Sequence, residues 1–312
     1  MAFKKIVIVG GGINGSQIAF QISYCGFETW ILLRSEASIQ RTKPKIEKLR
    51  NIYLDTMEKM KTDKTAYCDG FTNKKDLTNK QIDELEIQLE KGYKELKFTT
   101  NFDEACKDAD LIIEAIIEDP KQKTELYQIL AKHMEKKTLL VTNSSNLLPS
   151  QLADSTGRPE KYLGFHFANQ IWKNNMTEIM LHARTDKKYF EEMVKFAEEI
   201  NMIPLKVNKE KNGYILNSLL IPFLLSAASL WANDVSDVET IDKAWTLGTG
   251  ASEGPFRSLD FIGLSTAYNV LLNHPDYADP NSNIRKIGDK VKIMIDAGKL
   301  GINSGEGFYK YK

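Results

Sequence analysis

Ile6-Val7-Ile8-Val9-Gly10-Gly11-Gly12-Ile13-Asn14-Gly15 is the stretch that decides the fold. Four consecutive apolar residues without alternation are the pattern of a strand buried on both faces, as in a parallel sheet covered by helices. The glycines then follow at G-x-G-x-x-G spacing. Gly10 suits the tight turn out of the strand, Gly12 lets the main chain approach a diphosphate, and Gly15 permits close packing of helix on strand. Ile13 and Asn14 lead into a helix whose first amides and positive end face phosphate. That helix is expected from about Ser16 to Cys25, closed by Gly26, with Thr29 to Leu33 as the next strand.

Working outward, Ile46 to Met60 has helical spacing, and Thr78-Asn79-Lys80-Gln81 is a capping box opening a helix toward Tyr93. Together they form a helical hairpin excursion. Alternation then resumes, with strands at Lys97 to Thr99, Leu111 to Ala115 and Thr138 to Thr142 and helices at Phe102 to Lys107 and Lys121 to Met134. Tyr162 to Phe167 and Thr177 to Met180 read as the last strands. Beyond Met202 the strand signal fades, and helices are expected over Gly213 to Ala232 and Val238 to Thr246. The fold class is α/β. A Rossmann doubly wound sheet with the hairpin excursion occupies residues 1–206, and an all-α C-terminal domain occupies residues 207–312.

The 312 residues suffice for two domains. Forty-two basic residues balance forty-two acidic ones, so no global field selects nucleic acid or an anionic membrane. Cys25, Cys68 and Cys106 are dispersed, which argues against a disulfide framework and a metal site. The first strand begins at once, leaving no room for a signal peptide. The apolar run Ile215 to Trp231 is interrupted by Asn217, Pro222 and Ser226, so no membrane span is expected. The expected compartment is a reducing cytoplasm. The same run is apolar nearly all round, more than one small domain needs to cover, and suggests a homodimer.

An NAD site usually carries Asp or Glu at the end of the second strand, about 20 residues beyond the glycines, to hold the ribose hydroxyls. Here Leu33 takes that place, followed by Arg34, Ser35 and Glu36. A carboxylate beside a 2′-phosphate would cost about 4 kcal/mol at a separation near 4 Å. Its absence, with Arg34 to pair with the phosphate and Ser35 to donate a second bond, favours NADP. In the alternative, Arg34 is solvated and Glu36 serves the ribose of NAD.

Four polar residues stand at the ends of apolar segments or inside them: Ser145 after the strand ending at Thr142, His166 at a strand end, Glu178 between apolar neighbours, and Asn217 within a helical apolar run. Taken singly, each is more simply a cap or a satisfied core polar group. Strand ends at the carboxyl edge are nonetheless where open α/β sheets bind ligands.

Over essentially its whole length the chain resembles the 3-hydroxyacyl-CoA dehydrogenase family. The resemblance rests on the glycine fingerprint, Ala109 to Glu118, Asn143 to Leu147, Gly164-Phe165-His166-Phe167 and Gly213-Tyr214-Ile215-Leu216-Asn217. Gly248-Thr249-Gly250, Gly254-Pro255-Phe256, Asp260 and the closing Gly305 to Tyr311 extend it. It implies that His166 is the general acid/base, oriented by Glu178, that Ser145 and Asn217 hydrogen-bond the substrate oxygen, and that Glu114 and Lys123 lie near the nicotinamide. It further implies a homodimer and an (S)-3-hydroxyacyl-CoA substrate. Where the family has Phe-Asn-Pro after the histidine, this chain has Ala168-Asn169-Gln170-Ile171-Trp172-Lys173-Asn174-Asn175, and Ser218 replaces an arginine. Trp172 is expected to narrow the pocket for a short acyl chain, and Lys59, Lys61 and Lys64 are candidates for coenzyme A phosphates. A non-thioester 3-hydroxy acid or sugar acid is the runner-up substrate, and a non-catalytic dinucleotide-binding protein is the reading from another class.

Overall fold

β1 (Lys5–Val9) is buried along its whole length. Ile6 and Ile8 enter one hydrophobic core while Val7 and Val9 enter another, as a strand covered by helices on both faces requires. The computed structural model describes residues 3–311. The chain separates into two units between Ile215 and Leu216. Lys206, the boundary expected above, lies inside a strand of the first unit.

In that unit β1 is followed by α1 (Ile13–Tyr24), β2 (Glu28–Leu32), α2 (Glu36–Met60), α3 (Asn79–Glu95), β3 (Lys97–Thr99), α4 (Phe102–Cys106) and β4 (Leu111–Glu114). Then come α5 (Pro120–His133), β5 (Leu139–Thr142), α6 (Pro149–Leu152), β6 (Tyr162–Phe167), β7 (Met176–Met180), α7 (Lys187–Glu199) and β8 (Ile203–Val207). One eight-stranded sheet runs in the order β3-β2-β1-β4-β5-β6-β7-β8. β1 to β6 are parallel, β7 is antiparallel to β6, and β8 is parallel to β7. The order reverses at β1 and β4, so the glycine loop leaves β1 at the switch point where doubly wound sheets open a crevice.

Several elements differ from the sequence expectation, two of them for a clear local reason. β8 is an additional strand beyond β7. Its Pro204 and Lys206 blunt the apolar pattern, and an edge strand tolerates both. α2 begins at Glu36 rather than Ile46. Pro44 reads as a breaker, but it sits exposed inside the helix, and Ser35 caps the true start by accepting from Ser38 N–H.

The α2–α3 excursion docks on α1. Tyr53 donates to Gln21 Oε1 at 2.8 Å, and Gln21 Nε2 donates to the carbonyls of Gly70 at 2.7 Å and Ile200 at 3.0 Å. The Thr78–Gln81 capping box is present at the head of α3. Farther along α3, Gly92 meets α1 closely: its carbonyl accepts from Ser23 Oγ at 2.7 Å, and a Cβ there would lie 2.5 Å from the Ser23 carbonyl oxygen.

The second unit is helical: α8 (Leu216–Ala232), α9 (Val238–Thr249), α10 (Pro255–Ile262), α11 (Leu264–Leu272) and α12 (Asn283–Asp296). Its core centres on residues such as Phe256, Leu264 and Ile287. Buried Asp260 accepts from Phe308 N–H and Tyr309 N–H, each at 2.8 Å, and from Tyr311 Oη at 2.9 Å, so one carboxylate fastens the closing segment. Among the described residues no helix is long and apolar enough to cross a membrane.

Gly92→Val forces a branched side chain into the α1–α3 contact and is expected to cost about 1–3 kcal/mol. Urea denaturation would read this as a lower midpoint. An unchanged midpoint would mean that the two helices do not meet this closely.

Candidate active site

Antiparallel register builds the centre of the site. His166 on β6 stands directly opposite Glu178 on β7, and directly opposed residues share a face. His166 Nδ1 lies 2.9 Å from Glu178 Oε2, and His166 Nε2 lies 3.1 Å from Ser145 Oγ. With the carboxylate accepting from Nδ1–H, the tautomer follows: Nε2 is left as the acceptor facing the serine hydroxyl. His166 is 4% exposed and Glu178 is fully buried. Glu178 Oε1 accepts from Ile215 N–H at 2.7 Å, and the Tyr214 ring stacks on the imidazole with centroids 4.7 Å apart.

Ser145 is set by the loop after β5. Asn143 Oδ1 accepts from Phe167 N–H at 2.9 Å, tying the end of β5 to the end of β6. Glu118 Oε1 gathers the turn beyond: it accepts from the Ser144 hydroxyl, from Asn146 N–H at 2.8 Å and from Leu147 N–H at 3.2 Å. Burial alone would raise the Glu118 carboxyl, but these donors, together with nearby Lys123, hold it below the ordinary glutamate range. Glu118, Asn143 and Tyr214 were given no role above. Contacts spanning tens of residues leave no periodic trace, and proximity of Glu118 to the strand end was the one available hint.

Glu114 and Lys123 are together, but as a buried pair. The carboxylate is fully buried and accepts from Lys123 Nζ at 2.6 Å, Ile116 N–H at 2.7 Å, Tyr127 Oη at 2.6 Å and Thr142 Oγ1 at 2.7 Å. Each carboxylate oxygen has two donors, which is what allows a buried charge to persist. The pair joins β4, α5 and β5. Asn217 belongs to the second unit, near the head of α8.

The glycine loop suits a diphosphate. Gly10 has φ +113°, and a Cβ there would lie 2.6 Å from the Ala115 carbonyl oxygen; one at Gly15 would strike the Gly10 carbonyl. Beside Gly12, by contrast, a Cβ would meet nothing within 4 Å, so the chain there borders open space. No side chain caps α1, which starts at Ile13 and continues through Asn14, and its first turn holds no acid. Lys45 Nζ donates to the Gly11 carbonyl at 2.8 Å and adds a cation beside the loop.

At the end of β2, Leu33 is 5% exposed and packed in the core, with its side chain beside the glycine loop: a Cβ at Gly11 would lie 2.9 Å from Leu33 Cδ2. Arg34 is the exposed residue there. Ser35 Oγ shares a 3.0 Å hydrogen bond with Ser38 Oγ, which also accepts from Arg41 Nη2 at 2.9 Å. Glu36 accepts from Gln40 at 3.2 Å.

Two further expectations are corrected. Trp172 does not narrow a pocket: it is 4% exposed and packs on Tyr53, centroids 5.4 Å apart, beneath the α2–α3 excursion. Lys61 is not a free phosphate ligand, because Glu58, Asp83 and Glu86 bind it at 2.6, 2.7 and 3.0 Å and latch α2 to α3. Lys64 lies 3.6 Å from Asp76, and Lys59 is exposed.

Comparison with known proteins agrees along the whole chain. Residues 5–211 match the family description 3-hydroxyacyl-CoA dehydrogenase, NAD binding domain, and residues 213–311 match 3-hydroxyacyl-CoA dehydrogenase, C-terminal domain. The mitochondrial hydroxyacyl-coenzyme A dehydrogenase of Rattus norvegicus is 30% identical over 310 residues, covering 99% of this chain and 91% of that protein. A 3-hydroxybutyryl-CoA dehydrogenase of Clostridioides difficile is 27% identical over 98% of this chain and 99% of its own length. The solved structure of a diketoreductase that acts on dicarbonyl compounds superimposes with a TM-score of 0.85, at 36% identity and full coverage of both chains.

Glu118→Ala would orphan the Ser144 hydroxyl proton and the Asn146 amide, a loss of about 1–3 kcal/mol, while Leu147 N–H keeps Ser144 Oγ at 3.1 Å. Hydrogen exchange at Asn146 should then accelerate about tenfold or more. Unchanged exchange at that amide would remove Glu118 from its role in setting the turn.

Proposed function

The chain belongs to the 3-hydroxyacyl-CoA dehydrogenase family, and from that premise we propose that it interconverts a short-chain (S)-3-hydroxyacyl-CoA and its 3-oxo form with His166 as general acid/base. The Ser145–His166–Glu178 relay is the observation that carries this reading. The Gly10–Gly15 loop would hold the dinucleotide, whose nicotinamide would supply the hydride chemistry at substrate C3.

The residues of the chain do the rest. In oxidation, His166 Nε2 takes the 3-hydroxyl proton while Glu178, on the other ring nitrogen, stabilises the imidazolium. In reduction, His166 returns that proton to the 3-oxo oxygen. Ser145 hydrogen-bonds the same oxygen and orients C3. Glu114 and Lys123 shape the strand end beside the nicotinamide half through their buried pairing. The short acyl chain is supported by the likeness to a 3-hydroxybutyryl-CoA dehydrogenase. The second unit, which leaves Leu219, Leu247 and Ile293 largely exposed, serves substrate binding and pairs with a second copy in a homodimer.

The Arg34–Ser35 end of the site favours NADP over NAD. Leu33 stands where a ribose-binding acid would repel the 2′-phosphate, Arg34 beside it is exposed, and Ser35 reaches a second arginine through Ser38. A second substrate reading, a non-thioester 3-oxo acid or dicarbonyl, is favoured by the 36% identity to a diketoreductase and by the engagement of Lys61 with three carboxylates.

Acetoacetyl-CoA and free acetoacetate, each assayed with NADH and NADPH, separate these readings. Turnover of the thioester is expected, turnover of the free acid alone selects the second reading, and no turnover of either defeats both. His166→Gln should lower kcat about 10²- to 10⁴-fold while dinucleotide affinity stays unchanged; normal turnover would remove His166 from the proton step. Arg34→Asp should weaken NADPH relative to NADH by at least about tenfold, from the loss of a charge-assisted bond of about 1.5–3 kcal/mol. An unaltered ratio in direct binding titrations would refute the NADP preference.

A further inference from the structure

Ser145, His166 and Glu178 come from different elements, yet one short stretch of chain touches all three. Gly213 N–H donates to the Ser145 carbonyl at 3.0 Å, and Ile215 N–H donates to Glu178 Oε1 at 2.7 Å. Between them the buried Tyr214 ring lies on the imidazole with the two planes inclined by 21°. Gly213 and Tyr214 both have left-handed backbone, φ 77° and 51°, which a bulky side chain adopts only where its surroundings impose it.

β6 is shaped to receive that ring. Gly164 precedes His166 by one side-chain repeat of the strand, so the two share a face. A Cβ at Gly164 would fall on the Tyr214 hydroxyl. The missing side chain therefore makes the space in which the phenol lies next to the imidazole.

The imidazole needs such a neighbour. Ring torsions of this kind are broad, and hydrogen bonds at Nδ1 and Nε2 define a line about which the ring still tilts. A ring packed against the imidazole face opposes that tilt.

We propose that Tyr214 is the positioning residue of the proton-transfer group: its ring holds the plane of His166 while its neighbours Gly213 and Ile215 set the Ser145 and Glu178 ends of the relay. This rests on the reading of His166 as the acid/base.

The test uses the full chain and whichever substrate the wild-type enzyme reduces. Tyr214→Phe keeps the ring and should retain kcat within about twofold, whereas Tyr214→Leu should lower kcat by about tenfold to a hundredfold with dinucleotide affinity unchanged. Gly164→Ala, which drives a methyl group onto the hydroxyl, should lower kcat in the same way. Adding Tyr214→Phe should restore most of that loss, because the nearest remaining ring atom, Cζ, is 3.2 Å away. Wild-type kcat in Tyr214→Leu, a harmless Gly164→Ala, or a double variant no better than Gly164→Ala would each overturn the proposal. If Tyr214→Leu does not fold, the two Gly164→Ala variants decide alone. Normal turnover by His166→Gln would instead remove the role of His166 itself, so the two failures are distinct.

Discussion

The pairing of β6 with β7 is the constraint on which the rest of the site depends. Side chains alternate along a strand, so a slip of one residue would carry Glu178 to the opposite face from His166. Several contacts hold the register. Thr177 Oγ1 donates to the His166 carbonyl at 3.0 Å, and Phe165 and Ile179, paired across the ladder, are both fully buried. β8 completes the arrangement. By pairing with β7 it makes that strand internal, setting Glu178 opposite Leu205 and away from the sheet edge.

The parallel part of the sheet contributes in a different way. Its strands deliver loops to one edge, and polar side chains join those loops laterally. Asn143 bridges β5 to β6, Glu118 gathers the turn that carries Ser145, and Glu114 binds the end of β4 to α5 and β5. A loop alone would fix Ser145 loosely. Fastened at Glu118 and at Gly213, it keeps the serine hydroxyl at hydrogen-bonding distance from Nε2.

The sequence made local features legible and hid distant ones. The glycine turn, the Thr78 capping box and the β-α alternation each have a short-range cause, so they could be read directly. Ser145 and His166 were visible as polar residues at strand ends, and Glu178 as a carboxylate between apolar neighbours. β8 was hidden because Pro204 and Lys206 are tolerated at an edge for reasons that only the finished sheet provides. The packing of Trp172 beneath Tyr53 depends on a hairpin more than a hundred residues earlier, by order of magnitude, and no spacing rule announces it. Leu33 and Arg34 differ by a single position along the strand end, and that step separates a core residue from an exposed one.

Two of the three grips that Gly213, Tyr214 and Ile215 exert on the relay are made by main-chain amides. A peptide N–H is supplied by every residue except proline. Changes in the gene at codon 215 can therefore alter bulk or polarity while the donor to Glu178 remains. Tyr214 is different, since its grip is the ring itself. Inherited variation in this stretch thus falls unequally: one position carries its information in the side chain, and its neighbour carries most of it in the backbone.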